Sequence, residues 1–242
     1  MCMNQLPNDG NVQPLVYPSV DLGPGRIELL TDPAPPMRTE SNFIRTYTGK
    51  PFWPLNPLPN EICIEDVAHA LSLICHFAGQ CYCHYSVAEH SIYVSKLAQK
   101  MTLDAARERQ LKCTPEVLNL AREIALWGLL HDASEAYLCD VPTPIKHAPG
   151  IGQLYQGHEA RLMDAIVERF NLMPHEPSVV KTADRILLNT ELRDLMTGAS
   201  YSADVLPDPI FPRDAQWAEA EFLRRFFALY NARNAEQIAN RE

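Results

Sequence analysis

The chain has 242 residues, a formal net charge of −9 and a hydrophobic content of 46%, which is enough to bury a large core. An acidic chain without basic runs is unsuited to non-specific binding of nucleic acid or of an anionic membrane surface. No apolar run approaches the roughly 18 residues of a membrane-spanning helix, and no secretion signal is recognisable. Seven scattered cysteines do not suggest a disulfide framework, so a reducing cytoplasm is the expected location.

Prolines are concentrated at the start of the chain, where eleven of the twenty lie within residues 1–59. Residues 1–40 show no sustained periodicity, which predicts an irregular, proline-rich N-terminal extension. Residues 41–60 combine strand-forming residues with turn-forming ones and indicate a short hairpin or a packed loop. Residues 41–242 are then expected to form one domain.

Apolar residues recur at helical spacing through the rest of the chain. Helices are predicted over 65–79, over 86–100, from an N-cap at Thr114 to about Tyr137, over 155–170, from an N-cap at Ser178 to about Met196, and from an N-cap at Asp214. Pro142 and Pro144 follow the third of these helices and prevent its continuation. The predicted fold class is therefore all-α, a single bundle of about six helices.

Four residues that can ligate a metal lie on helix faces that are otherwise apolar: His90, His131, Asp132 and Asp184. An ionised aspartate on a buried face costs several kcal/mol unless it is paired or bound to a metal. Two imidazoles and two carboxylates from three helices would suit one divalent cation, of the Zn, Co, Mn or Ni class, with Mg as a further candidate. The pattern alone also permits hydrogen-bonded core histidines and ordinary surface aspartates.

Three segments resemble the HD-domain phosphohydrolases, namely YSVAEHS at 85–91, LLHDASEAYLCDVPTPIK at 129–146 and TADRILLNTE at 182–191. The resemblance covers roughly residues 43–196 and is closest to a small nucleotide-hydrolysing branch, with phage dATP triphosphohydrolases and bacterial 5'-deoxyribonucleotidases. It implies an HD-domain helical bundle in which His90, His131, Asp132 and Asp184 bind one divalent metal ion. It further implies that Glu135 handles the attacking water and that Asp140 is a second catalytic carboxylate. Lys146 lies at the position of a phosphate contact.

The resemblance also suggests a substrate-binding surface, with two departures from the family pattern. Trp53 and Leu55 resemble a segment that packs on the base or sugar, although Trp53 could instead anchor the N-terminal segment. His76 stands where relatives often carry an arginine that would grip phosphate bidentately, and Gln80 stands where they often carry a histidine. Arg45 and Lys50 are candidates to supply the missing cation.

The function expected first is hydrolysis of dATP to deoxyadenosine and triphosphate, because the proline-rich extension and the GKPFW segment look phage-like. In that case the location would be the host cytoplasm. Three alternatives stay open: a 5'-deoxyribonucleotidase of monophosphates, a two-metal cyclic-nucleotide phosphodiesterase, and a non-catalytic nucleotide-sensing module. The second of these would need additional histidine ligands, for which the candidates are His147, His158 and His175. The expected partners are a small deoxynucleotide and further copies of the chain, as a dimer or hexamer.

Overall fold

The computed structural model describes the backbone of residues 34–239 and the side chains of residues 34–233. Most of the predicted extension at 1–40 therefore lies outside the described residues, and residues 34–40 are loop and turn. The first regular structure is a two-stranded antiparallel hairpin, β1 (Ile44–Arg45) and β2 (Pro51–Phe52), which confirms the hairpin expected in this segment. Phe52 is fully buried, and its ring stacks on Tyr137 with the centroids 4.1 Å apart.

Helices form nearly all the remaining regular structure of the described residues, so the all-α fold class is confirmed. Six of them have ten residues or more and two are single turns. In chain order they are α1 (Ile64–Leu73), α2 (Val87–Glu108), α3 (Pro115–Leu130), α4 (Glu135–Leu138), α5 (Thr143–Lys146), α6 (Ile151–Phe170), α7 (Ser178–Leu195) and α8 (Ala215–Ala239). None of the described helices is long and apolar enough to cross a membrane.

Helices α2 and α3 form the closest-packed pair at the centre of the bundle. Gly128 permits this approach, because a Cβ atom at that position would lie only 3.1 Å from Cα of Ser95 on α2. The Ser95 hydroxyl donates a hydrogen bond to the Ala125 carbonyl, and Arg225 of α8 donates to the same hydroxyl at 2.7 Å. The small residues of α3 thus bring its C-terminal end directly against the N-terminal half of α2.

Helix α8 covers the bundle with the face that the sequence predicts. Ala218, Phe222, Phe226 and Leu229 are all buried. Asp214 caps the helix as expected, since its carboxylate accepts a hydrogen bond from the Trp217 amide at 2.8 Å.

Five predicted helix boundaries are wrong. Two helices are longer than predicted, since α2 continues to Glu108 instead of ending at residue 100 and α6 begins at Ile151 instead of residue 155. The first helix ends at Leu73, because Cys75 pairs with Ser86 in a β-bridge and Ala78 has a left-handed backbone (φ 51°). The third ends at Leu130 rather than near Tyr137. Pro177 takes the N-cap position of α7, so Ser178 is the first helical residue rather than the cap.

Candidate functional site

Four predicted metal ligands converge on one point between α2, α3 and α7. The Nε2 atoms of His90 and His131 lie 3.3 Å apart. Oδ1 of Asp184 lies 3.2 Å from Nε2 of His90, and Oδ2 of Asp132 lies 3.1 Å from Nε2 of His131. Both imidazoles are nearly inaccessible, whereas the Asp184 carboxylate is 41% exposed and open to an entering ion.

The hydrogen bonds behind these two imidazoles fit a divalent cation in front of them. Nδ1 of His90 lies 2.7 Å from a carboxylate oxygen of Glu191, and Nδ1 of His131 lies 3.0 Å from the Gly128 carbonyl. Both partners are acceptors, so each Nδ1 carries a hydrogen, and the Nε2 lone pair of each ring would face a bound cation. Two such lone pairs beside two carboxylates form a nitrogen and oxygen donor set that suits a divalent metal.

A tight turn follows α3 at the cluster. After Leu130 the Ala133 amide donates to the Leu130 carbonyl and the Glu135 amide donates to the Asp132 carbonyl. These hydrogen bonds between residues three apart replace the continuous helix predicted to Tyr137. At this turn Nε2 of His131 and Oδ2 of Asp132 lie 3.1 Å apart, so the two adjacent residues share one point.

Glu135 begins the next short helix and projects into the same region. It is 4% exposed, and its Oε1 accepts a hydrogen bond from Lys146 at 3.1 Å. Its Oε2 is buried with no hydrogen-bond partner among the described residues. Burial and the charge of Asp132 raise the pKa of Glu135 to about 8, against the opposing charge of Lys146. Lys146 also donates to Glu159 at 2.9 Å, so it bridges two carboxylates.

Asp140 and His76 form a second polar pair beside the metal-ligand cluster. Nδ1 of His76 lies 3.2 Å from Oδ2 of Asp140, and the Ala78 amide donates to the same oxygen at 3.3 Å. Burial opposes ionisation of Asp140, but the hydrogen bond from His76 lowers its pKa below the usual value. Burial alone would lower the pKa of His76, yet the hydrogen bond to Asp140 and the nearby Glu191 carboxylate raise it to about 9. The pair ties the loop after α1 to the segment after α4.

Glu191 is a site residue to which sequence reasoning assigned no role. It is completely buried on α7, between His76, His90 and Tyr85. Burial opposes its charge, but the neighbouring His90 and His76 lower the pKa of Glu191 to about 2. Its position seven residues after Asp184 places both on one helix face, which is the signal that could have identified it.

Two cavities meet at the cluster, and both are lined by Asp132, Lys146 and Asp184. The first, of about 570 Å³, is partly apolar and is lined further by His76, Phe77, Ala78, Gln80, His90, Glu135, Asp140, Val141, Pro142, Thr143, Pro144, Leu188 and Met196. The second, of about 540 Å³, is more polar and includes Gln156, Glu159, Glu176 and Lys181. We call the cavity of about 570 Å³ the apolar cavity and the cavity of about 540 Å³ the acidic cavity.

The other predicted substrate contacts lie away from these cavities. Trp53 donates from Nε1 to the Thr39 carbonyl at 3.0 Å and packs against Phe43, which matches its alternative role as an anchor. Leu55 is 38% exposed and lines neither cavity. Arg45 and Lys50 do not line them either.

The three histidines considered for a second metal ion are not assembled in the described part of the chain. His147 and His175 are exposed, while Nδ1 of His158 lies 3.1 Å from a guanidinium nitrogen of Arg161. The sets of three or more ligand atoms that lie close together among the described residues include none of the three.

Comparisons with known proteins agree with this geometry. Residues 70–176 match the family model described as 5'-deoxynucleotidase YfbR-like. The chain is 35% identical to the uncharacterized protein YfdR of Escherichia coli over 64% of this chain and 72% of the relative. It is 32% identical to an uncharacterized protein of Rhodobacter capsulatus over 70% of this chain and 82% of that relative.

A third relative has a described activity. The chain is 34% identical to a 5'-deoxynucleotidase of Vibrio atlanticus, over 42% of this chain and 57% of that protein. The match to the family model includes the segments that supply His90, His131 and Asp132 to the cluster, and so do the matches to the first two relatives. The chain therefore belongs to the YfbR-like 5'-deoxynucleotidase family, a branch of the metal-dependent HD-domain phosphohydrolases.

Proposed function

We propose that this chain is a 5'-deoxynucleotidase, which hydrolyses a deoxynucleoside monophosphate to the deoxynucleoside and inorganic phosphate. The observation that carries the proposal is the convergence of four metal-type ligands beside a cavity of about 570 Å³. His90, Asp132 and Asp184 of this set line that cavity together with Glu135. That volume lies within the range of about 300–1,000 Å³ that is typical of small-molecule sites. Relatives named 5'-deoxynucleotidase support the same reaction.

His90, His131, Asp132 and Asp184 are the proposed ligands of one divalent ion, of the Zn, Co, Mn or Ni class or Mg. When bound, such an ion lowers the pKa of a water molecule and offsets charge on a phosphoryl oxygen. Lys146 is the proposed phosphate contact, because it lines both cavities where they meet. Its ammonium group would attract the phosphate as a point charge.

Glu135 is the proposed proton acceptor for the attacking water. One of its oxygens accepts a hydrogen bond from Lys146, while the buried Oε2 has no partner among the described residues and is free to accept a proton. Asp140 and His76 are proposed to contact the substrate at the neighbouring wall of the apolar cavity. The nucleoside would then pack on the apolar part of the lining, supplied by Phe77, Val141, Pro142, Leu188 and Met196.

The dATP triphosphohydrolase expected from the sequence has less support than this alternative. The relative reported above with a described activity is a 5'-deoxynucleotidase. The acidic cavity offers room for a longer phosphate chain. Its lining includes two lysines, Lys146 and Lys181, but also the carboxylates of Glu159 and Glu176. Because those carboxylates would repel a polyphosphate, a single phosphate is the better fit.

The remaining alternatives fit less well. A two-metal phosphodiesterase needs further ligands, and the described residues bring none of the candidate histidines to the cluster. A purely sensory module would not require Glu135 with an open buried oxygen beside a complete ligand set. Self-association stays a prediction from the family resemblance, and sedimentation at micromolar concentration would test it.

The experiment that tests the proposal is a product assay on metal-stripped protein that is resupplied with Mn, Co, Zn or Mg. Each deoxynucleoside monophosphate and triphosphate is offered separately, alongside the corresponding ribonucleotide, and products are resolved by chromatography. We expect inorganic phosphate and deoxynucleoside from the monophosphates. Release of intact triphosphate from dATP, with the monophosphates untouched, would replace this proposal with the triphosphohydrolase. The Asp184→Ala variant serves as the metal-deficient control.

A further inference from the structure

The Glu191 carboxylate lies between the metal-ligand cluster and the wall of the apolar cavity. Its Oε1 accepts hydrogen bonds from Nδ1 of His90 and from the Tyr85 hydroxyl, each at 2.7 Å. Its Oε2 lies 3.6 Å from Nε2 of His76. The His76 and His90 rings are 4.7 Å apart between centroids. One carboxylate therefore faces two imidazoles that belong to different parts of the site.

A fully buried carboxylate at this position is costly unless the groups around it need its charge and both its oxygens. Oε1 is satisfied twice, but Oε2 has no hydrogen-bond partner within bonding distance among the described residues. That second oxygen points at His76, and a small movement of the His76 ring would close the 3.6 Å gap. His76 in turn holds Oδ2 of Asp140 through its other nitrogen.

We propose that Glu191 is a positioning residue that couples the metal centre to the nucleotide cavity, by fixing His90 with one oxygen and steering His76 with the other. The role of the first oxygen requires only a metal at the cluster. The role of the second rests on the proposed nucleotidase function, because it concerns how His76 and Asp140 meet the substrate.

The first oxygen acts through the tautomer of His90. An imidazole presents a lone pair at Nε2 only when its hydrogen is on Nδ1, and an acceptor behind Nδ1 fixes that state. A carboxylate does this more strongly than a carbonyl, and it also raises the basicity of the ligating nitrogen. Removing such a partner typically weakens metal binding about 10–100-fold.

The second oxygen acts on the chain of contacts from His76 to Asp140. Both residues line the apolar cavity, and Glu191 is the buried group behind His76. With Oε2 replaced by an amide nitrogen, His76 would face a donor instead of an acceptor. We therefore expect looser substrate binding in addition to weaker metal binding.

Glu191→Gln tests both parts, because it keeps the size of the side chain and leaves only one accepting oxygen. The remaining amide oxygen can still accept from Nδ1 of His90 but lacks the carboxylate charge. Affinity for Co²⁺, measured by calorimetry on metal-stripped protein, should therefore fall about 10-fold, with a changed visible spectrum of the bound Co²⁺. At saturating metal, KM for the deoxynucleotide should rise more than kcat falls. Tyr85→Phe is the matched control, since it removes the third donor and leaves both imidazoles, and its Co²⁺ affinity and KM should stay within threefold of wild type.

A measurement on the wild-type chain decides the first part even if Glu191→Gln does not fold. In Zn²⁺-loaded protein labelled with ¹⁵N-histidine, magnetic resonance should find the His90 hydrogen on Nδ1, strongly deshielded by the carboxylate. A His90 without hydrogen on Nδ1, or a folded Glu191→Gln chain with wild-type Co²⁺ affinity and spectrum, would overturn the proposal. Weaker Co²⁺ binding with an unchanged KM would overturn its second part alone.

These results are separable from the proposed activity. If the wild-type protein hydrolysed no nucleotide with any metal, the nucleotidase proposal would fail. The predicted losses of Co²⁺ affinity and the His90 tautomer would still decide the part of the inference that concerns the metal centre.

Discussion

Substitution of Glu135 by glutamine should remove most of the turnover and leave the metal in place. A positioned proton acceptor typically contributes about 10²–10⁴-fold to the rate, which corresponds to about 2.7–5.5 kcal/mol of activation free energy. Glutamine cannot accept the proton, so we expect kcat to fall within that range. The proposed ligands are all other residues, so metal content should stay at the wild-type level.

The structure indicates that this substitution should be tolerated by the fold. Lys146 can still donate to the amide oxygen and keeps its 2.9 Å ion pair with Glu159, so its charge stays partnered. Burial raises the pKa of Glu135 to about 8, so an uncharged amide of equal size suits the same surroundings. We expect the melting temperature to change by only a few degrees.

The assay is release of inorganic phosphate from saturating deoxynucleoside monophosphate, with metal content measured on the same samples. Glu159→Gln is the matched control, because it removes the other carboxylate that pairs with Lys146. Glu159 lines the acidic cavity and not the apolar cavity. We expect its kcat to stay within about fivefold of wild type. If Glu135→Gln kept more than a tenth of wild-type kcat, or if both variants lost activity equally, the role assigned to Glu135 would be wrong.

Three further changes have definite expected results. Asp184→Ala should lose bound metal and turnover together, as metal analysis and the phosphate assay would show. Gly128→Ala should destabilise the chain by about 1–3 kcal/mol in chemical denaturation, because the new Cβ would meet Cα of Ser95 at 3.1 Å. Glu221 pairs with Arg224, and this hydrogen bond lowers its pKa from 4.5 to about 2 although burial opposes the shift. Its stabilisation is therefore complete above about pH 4.5 and lost as the pH falls toward 2, so the stability difference between wild type and Glu221→Gln should shrink over that interval.

The helices could be predicted from local pattern, and the cluster of proposed metal ligands from that pattern together with the family resemblance. Polar residues such as His90 and Asp184 stand out on apolar helix faces wherever they occur, and their shared point follows once three helices pack together. The end of α3 could not be predicted in the same way. Apolar periodicity continues from Leu130 to Tyr137, and the tight turn between them depends on hydrogen bonds that periodicity does not encode.

The surroundings of Glu191 and Trp53 could not be predicted, since they come from distant parts of the chain. A glutamate near the end of a helix normally lies at the surface, and the packing of α7 on α2 buries Glu191 against His90. Trp53 has two possible roles in sequence, and the hydrogen bond from its ring nitrogen to the Thr39 carbonyl, 14 residues earlier, matches the anchoring role. The spacing of Glu191 from Asp184 indicates a shared helix face, but it does not reveal the partners on the other helix.

The two carboxylates near the cluster differ in ways that suggest different roles. Glu135 keeps one buried oxygen without a partner, so it can take up a proton without breaking an existing contact. Oδ2 of Asp140 already accepts from both His76 and the Ala78 amide, in a loop where Ala78 has a strained positive φ. Asp140 therefore stabilises the wall of the apolar cavity, and protonation of that oxygen would weaken its hydrogen bonds to His76 and Ala78. Glu135 is for this reason the better candidate for the chemical step, and Asp140 for the binding of substrate.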